Sequence, residues 1–415
     1  MSKKIQKIYV CGPTVYNHIH IGNLRPILTF DLILKGYREQ NIPFKFIHNI
    51  TDIDDKIINK AIEENKSEKE ISEFYTEKYL NLLKDLNIDT ITQIEKVTDN
   101  INFIESYITK IINANSAYKD ENNNVWFDIS RNQKNYGTVS KQNIDKMIFD
   151  ELSYGKKFKG DFALWKNTTL GIKYKTSLGL GRPGWHTECC ALIDKHFGKN
   201  GVNIHGGGMD LIFPHHENEN IQHFSIYNKN LADKWLRTGQ INLDGIKMSK
   251  SLGNIILASS FIEKYGTEII KLIILNSKVT APINITKELI ENMQIIQDKY
   301  KKFVFKFYSK KIKFIEINTN KNEKYYKLVN SLVNYEFSNF NFLLNEYLKM
   351  FNKNNDEEIA NVIFKILSVI HPKITLKKEY KFFLDVFDKW NYLISKKDYS
   401  KADKLRAVLI ENKLI

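Results

Sequence analysis

Apolar and polar positions follow short strand-like runs in the N-terminal part of the chain and helical spacing in the C-terminal part. Residues 7–11, Lys7-Ile-Tyr-Val-Cys11, form an apolar run cut by Gly12 and Pro13, which predicts a short buried strand. A helical pattern follows from about Leu24 to Glu39, and residues 43–50 read as a second strand with alternation. Strand, glycine turn, helix and strand open a βαβ unit and so a parallel sheet. Ligands of such sheets bind beyond the carboxyl ends of the strands, where Cys11, His20 and Thr51 fall.

Residues 56–115 carry helical periodicity, with Ile57, Ile58, Ala61 and Ile62 on one face, then Tyr75, Tyr79, Leu80 and Leu83. Residues 116–180 change character. Asp120 to Asn124 reads as a turn between short strands, and the stretch reads as an insertion in the parallel-sheet fold. The sheet resumes at Val202-Asn-Ile-His205, before Gly206, Gly207 and Gly208. From about residue 285 onward the spacing is helical, as in Leu328, Leu332, Phe340, Leu343, Leu344 and Tyr347, and Lys396 to Ile415 reads as a basic amphipathic helix. The expected class is α/β: a Rossmann-like parallel-sheet domain with an insertion, followed by an all-α C-terminal domain.

A length of 415 residues with 42% hydrophobic content fits two or three folded domains of roughly 100–200 residues each. Lysine and arginine number 62 against 48 acidic residues, a net charge of +14. Such a surface attracts polyanions, nucleic acid above all, although a base composition rich in A and T produces the same excess of lysine. Cys11, Cys189 and Cys190 are too few for a disulfide framework, which points to a reducing, cytoplasmic setting. No run approaches the roughly 18 apolar residues of a membrane span, and the N-terminus has no signal-peptide pattern.

Three segments carry chemistry. His20-Ile-Gly-Asn23 opens the first helix, where glycine admits a phosphate to the backbone and the helix N-terminus favours its charge. Lys247-Met-Ser-Lys-Ser-Leu-Gly-Asn254 gathers two lysines and two serines in one loop, suited to a triphosphate and to the charge of departing pyrophosphate. Cys11, Cys189, His205, His215, His216, Glu217 and Glu219 are metal-type ligands from three regions. Gly184 to Cys190 and Pro214 to Glu219 each begin a predicted helix, and His215 and Glu219, four apart, share one helical face. Two cysteines, one histidine and one glutamate suit Zn²⁺, yet the spacing does not choose between His215 and His216.

The His20 and Lys247 segments, in this order, resemble the two signature sequences of class I aminoacyl-tRNA synthetases, HIGH and KMSKS, with Asn23 in place of the final histidine of the first. Cys11-Gly-Pro-Thr-Val-Tyr16, Asn49 to Lys56, Gly181 to Cys189 and His205 to Glu219 resemble the cysteinyl-tRNA synthetase family in particular. The similarity runs over the whole chain and weakens after about residue 305.

The resemblance implies Cys11, Cys189, His215 and Glu219 as ligands of one Zn²⁺ per subunit. It implies ATP with Mg²⁺ held by Pro13, His20, Gly22, Asn23, Lys247, Ser249, Lys250 and Ser251, of which His20, Asn23, Lys247 and Lys250 act on the phosphates. Gly12, Thr14, Thr51, Trp185, His205 and Asp210 are expected at the L-cysteine pocket. The reaction implied is formation of cysteinyl-adenylate and pyrophosphate, then transfer of cysteine to the 3'-terminal adenosine of tRNA(Cys). Zinc suits the choice of cysteine over serine, because a thiol ionises near pKa 8.5 and a metal removes its proton, whereas a hydroxyl ionises far less readily. A separate editing domain is then unnecessary.

The implied division is a catalytic domain in two halves, 1–95 and 182–245, a connective insertion at 96–181, a lysine-loop and stem-contact region at 246–305, and a helical anticodon-binding domain at 306–415. A cytoplasmic monomer is expected. Beyond the match to Lys401–Arg406 the family continues into a short further element, so fine anticodon reading is expected to differ here. Two rival readings are a ligase that passes activated cysteine to a small amino sugar and a non-catalytic RNA-binding paralogue. The long basic helical region speaks against the first, and the intact lysines and metal-type residues against the second.

Overall fold

The computed structural model of the chain describes residues 4–147, 155–248 and 253–415, and divides into two compact units: Met1–Ile27, Pro43–Gln240 and Ile255–Ser259 in one, and Leu28–Ile42, Ile241–Asn254 and Ser260–Ile415 in the other. In chain order the first elements are β1 (Gln6–Val10), α1 (Ile21–Glu39), β2 (Phe44–Ile50), α2 (Asp55–Glu64), α3 (Glu68–Asp85), β3 (Gln93–Lys96) and α4 (Ile101–Asn113). An antiparallel sheet follows, built from β4 (Ala117–Lys119), β5 (Val125–Phe127), β6 (Phe162–Lys166), β7 (Tyr174–Thr176) and β8 (Gly179–Pro183). Then come α5 (Trp185–Phe197), β9 (Val202–Gly208), α6 (Glu217–Tyr227) and β10 (Ala232–Thr238).

The first unit is organised by a five-stranded sheet of order β10-β9-β1-β2-β3, in which every pairing is parallel. The chain runs outward from β1 through β2 to β3, then returns on the other side of β1 with β9 and β10. The switch in direction lies between β1 and β9, where doubly wound sheets open a crevice at their carboxyl edge. Cys11 follows β1 directly, and Thr51 follows β2.

Several local expectations change. The second strand does not alternate: Phe46 to Ile50 are all buried, because both faces of a central parallel strand are covered. The stretch 56–115 is not continuously helical, since the polar segment Gln93–Lys96 pairs with β2 as the edge strand. Ile62 and Leu80, placed on buried faces by their spacing, are 63% and 38% exposed. Pro214 does not start a helix. An irregular turn over Ile212–His216, with extended backbone at Phe213, precedes α6 at Glu217.

The second unit holds a small sheet of β11 (Ile241–Leu243), β12 (Ile246–Lys247) and β13 (Ile283–Ile285), with helix α7 (Ala258–Tyr265) from Ser260 onward and the whole of α8 (Thr267–Leu275). Helices α9 (Lys287–Ser309), α10 (Glu323–Val333), α11 (Phe337–Asn354), α12 (Glu357–Ile370), α13 (Lys381–Ser395) and α14 (Tyr399–Glu411) complete it. Leu328, Leu332, Phe340, Leu344 and Tyr347 are buried as their spacing predicts, split between α10 and α11. Among the described residues no helix is long and apolar enough to cross a membrane.

Candidate metal and nucleotide site

The carboxyl end of β1 sits against β2 without room for a side chain: a Cβ on Gly12 would lie 1.6 Å from the Asn49 carbonyl oxygen. The Gly12 amide donates to Asn49 Oδ1 at 2.8 Å, Thr51 N donates to Pro13 O and Val15 N to Thr51 O, so Thr14 and Thr51 continue the parallel pairing past both strands. Thr51 Oγ1 donates to Glu188 Oε2 at 3.0 Å and accepts from Asn49 Nδ2 at 3.2 Å. This buried chain of hydrogen bonds ties the Cys11 loop to α5, which carries Cys189.

Four ligand-type atoms converge there: Cys11, Cys189, His215 and Glu219 lie mutually within 4.8 Å, and so do Cys11, His205, His216 and Glu219. Cys11 Sγ is 3.8 Å from Cys189 Sγ, 3.6 Å from His215 Nε2 and 3.6 Å from Glu219 Oε1. His215 Nε2 and Glu219 Oε1 are 2.9 Å apart, the result of their four-residue spacing. On the other carboxylate oxygen His205 Nε2 lies at 2.8 Å. His205 is fully buried and stacked on Trp235, with the Tyr9 and His216 rings also against it.

The four groups set one another's protonation through their contacts. A hydrogen bond with Cys11 pulls the Cys189 thiol down to about 7, while burial and the Cys189 and Glu219 charges push Cys11 up. Burial works against charge at His215, but Glu219 and Cys189 outweigh it and raise the imidazole to about 10. Burial likewise opposes ionisation of Glu219, and His205 and His215 overcome it, so the carboxyl lies well below its usual range. Glu219 Oε2 and both His205 nitrogens lack a well-aligned hydrogen-bond partner among the described residues. Buried polar atoms left in that condition are costly unless another group completes them.

The remaining predicted residues fall as follows. His20 precedes α1, and its Nδ1 accepts the Gly22 amide at 3.1 Å, which leaves Nε2 as the protonated nitrogen. Asn23 Oδ1 receives the His20 amide at 3.4 Å. Trp185 begins α5, 39% exposed, with its ring on His215. Asp210 is exposed in the turn after β9 and folds back over Gly208. Lys247, in β12 of the second unit, is exposed, and its carbonyl accepts from Asn254. Ser249, Lys250 and Ser251 lie outside the described residues. Reading the sequence alone missed Asn49, His186, Glu188, Trp235 and Arg237 as parts of this site.

Solved tRNA synthetases share this fold. The chain is similar to the methionyl-tRNA synthetase of Mycobacterium tuberculosis with a TM-score of 0.63 at 11% identity, covering 89% of this chain and 92% of the other. A LeuRS from Agrobacterium radiobacter K84 gives 0.65 at 8% identity over 90% and 85% of the two chains. A sequence profile described as "tRNA synthetases class I (C) catalytic domain" matches residues 1–295. The cysteine–tRNA ligase of Mesomycoplasma hyopneumoniae is 43% identical over 409 residues, 99% of this chain and 97% of its own. That of Malacoplasma penetrans is 40% identical over 435 residues, 100% of this chain and 97% of its own. The chain belongs to the cysteine–tRNA ligase family of class I tRNA synthetases.

Proposed function

We propose that this chain is an ATP-dependent, AMP-forming cysteine–tRNA ligase, and that Cys11, Cys189, His215 and Glu219 hold one Zn²⁺. The observation that carries the reading is the convergence of this tetrad at the β1/β9 switch. For a tetrahedral ion, bonds of about 2.3 Å to sulfur and about 2.0–2.1 Å to nitrogen separate two sulfurs by about 3.8 Å and sulfur from nitrogen by about 3.6 Å. Cys11 and Cys189 Sγ are 3.8 Å apart, and Cys11 Sγ and His215 Nε2 3.6 Å. The His215–Glu219 distance of 2.9 Å is a hydrogen-bonding separation, shorter than the about 3.4 Å such an ion sets between nitrogen and oxygen. When bound, zinc supplies a soft centre that takes a thiol as its thiolate and discriminates against a hydroxyl.

The protein groups do the rest by position and charge. Gly12, Thr14, Thr51, Trp185, His205 and Asp210 form and support the cysteine pocket, with Trp185 covering His215. The cysteine carboxylate attacks the α-phosphate of Mg²⁺-bound ATP and pyrophosphate leaves. His20 donates from Nε2 to the phosphates, beside Pro13, Gly22 and Asn23, and Lys247, Ser249, Lys250 and Ser251 take up the charge of the leaving group. A ribose hydroxyl of the 3'-terminal adenosine of tRNA(Cys) then takes the cysteinyl group from the adenylate and AMP leaves. In this reading residues 1–95 and 182–245 form the catalytic domain, 96–181 the connective insertion, 246–305 the lysine-loop region and 306–415 the anticodon-binding domain of a cytoplasmic monomer. Exposed Lys396, Lys397, Lys401, Lys404 and Arg406 support RNA contact by the last of these.

Cysteine-dependent ATP–pyrophosphate exchange, measured beside zinc content and with serine as competitor, tests the proposal. Cys11→Ser is expected to lose both metal and exchange. Full exchange from a zinc-free Cys11→Ser protein overturns the zinc assignment, and absence of cysteine-dependent exchange in the wild type overturns the activity.

A further inference from the structure

His215 and His216 are neighbours in the chain, and both turn Nε2 toward Cys11 Sγ, at 3.6 and 3.8 Å. Each completes its own group of four ligand-type residues around Cys11 and Glu219. Distance from the sulfur therefore does not separate them. The far side of each ring does.

His216 Nδ1 accepts the Nε–H of Arg237 at 3.0 Å. A guanidinium offers donors alone and keeps its proton in proteins, so Nδ1 must be unprotonated. The neutral ring then carries its hydrogen on Nε2, the nitrogen aimed at Cys11. His215 has the opposite freedom. Its Nδ1 faces His186 Nδ1 at 3.0 Å, and an imidazole there can take a proton as well as give one. With Nδ1–H donated to His186, His215 can give up its Nε2 proton to a coordinated ion and turn that lone pair into the space it shares with Cys11, Cys189 and Glu219.

Packing holds the device in place. The Arg237 guanidinium lies 5.1 Å from the Trp235 ring centroid, and that indole lies 4.9 Å from His216 and 4.6 Å from His205. On the other side the His216 ring approaches bare backbone: a Cβ on Gly207 would lie 3.0 Å from Nε2.

We propose that Arg237 locks His216 as a hydrogen-bond donor to the Cys11 sulfur, so that His216 is a positioning residue for the metal and His215 alone of the pair ligates it. This rests on the reading of Cys11, Cys189, His215 and Glu219 as the metal site. An N–H on the thiolate fixes its lone pairs and moderates its basicity. Excluding His216 as a ligand keeps the set at two sulfurs, one nitrogen and one oxygen instead of one sulfur, two nitrogens and one oxygen.

The test is competitive zinc titration of the full chain, with the visible absorption of its Co²⁺-substituted form as the spectroscopic readout. A wild type that binds no metal defeats the underlying reading, whatever Arg237 does. Given wild-type binding, His216→Ala is expected to keep one metal and the two-thiolate charge-transfer intensity, with affinity weakened roughly 10–100-fold. His216→Gln, which still offers an N–H, is expected to recover most of that loss, and Arg237→Met to weaken binding as His216→Ala does. His215→Ala is expected to lose the metal, and adding Arg237→Met to restore a one-thiolate spectrum by freeing His216 to ligate. The inference is overturned if His216→Ala loses the metal or binds it as the wild type does, or if the double variant binds no better than His215→Ala.

Discussion

The indole of Trp185 lies stacked on the imidazole of His215, ring centroids 4.3 Å apart and planes 26° apart. A half-open aromatic residue thus covers a buried one that belongs to the metal-type cluster. Removing the indole costs the stack, about 1 kcal/mol, and opens His215 to water. Trp185→Ala is expected to weaken cysteine binding and zinc affinity roughly fivefold or more, and Trp185→Phe to retain most of both. Zinc titration and the KM for cysteine in pyrophosphate exchange check this, and unchanged values for Trp185→Ala contradict it.

Gly12 is fixed by contact with backbone, which cannot swing aside as a side chain can. Gly12→Ala drives a methyl into the Asn49 carbonyl and must separate the ends of β1 and β2. The expected cost is about 1–3 kcal/mol in stability, with loss of metal, since Cys11 moves with the strand end. Thermal melting and metal content of the purified variant are the measurements.

Metal binding should release protons. At pH 8 the metal-free site holds a protonated His215, raised to about 10, and a Cys11 thiol pushed up by burial and its neighbours, while Cys189, near 7, is already largely ionised. Coordination requires all three deprotonated, so about two protons leave and affinity rises with pH. Calorimetry of zinc binding in buffers of different ionisation enthalpy reads the number. Zero released protons contradicts this protonation pattern.

The second unit carries a buried ionic cluster with a definite pH sign. Burial opposes the charge on Glu268, but His371, at 2.5 Å, and Lys271, at 3.0 Å, hold its carboxyl down to about 2. A depressed carboxyl stabilises the fold above its unfolded value, about 4.3, and that stability fades as pH falls through about 2. Burial, the largest influence on His371, leaves it below its usual value. The unfolded chain therefore gains a proton below about 6.5 that the folded chain resists, and stability falls on the acid side again. The Tm is expected to drop steadily from pH 7 to pH 4, and Glu268→Gln to melt lower than the wild type at pH 7. A Tm independent of pH across that span contradicts the expectation.

Much of this was legible from residue order. The run ending at Cys11 is broken by Gly12 and Pro13, which marks a strand end. The four-residue spacing of His215 and Glu219 brought their side chains together even though His215 lies in an irregular turn. The edge strand Gln93–Lys96 was hidden because a four-residue polar segment shows no period, and its pairing partner β2 is distant in sequence. The exposure of Ile62 and Leu80 was hidden because spacing marks a face without saying what covers it.

By itself the sequence determined the alternation of strand and helix, the donors available for a soft cation and the places where glycine must stand, because these depend on local spacing and residue chemistry. Tertiary structure alone decided which partner meets the far nitrogen of each histidine whose Nε2 faces Cys11. Those partners are Arg237 from β10 and His186 from α5, far apart in the chain and brought to the Cys–His–Glu cluster only once the parallel sheet has formed. Hydrogen-bond direction is a property of assembled partners, and adjacent identical residues acquire different partners only through the fold.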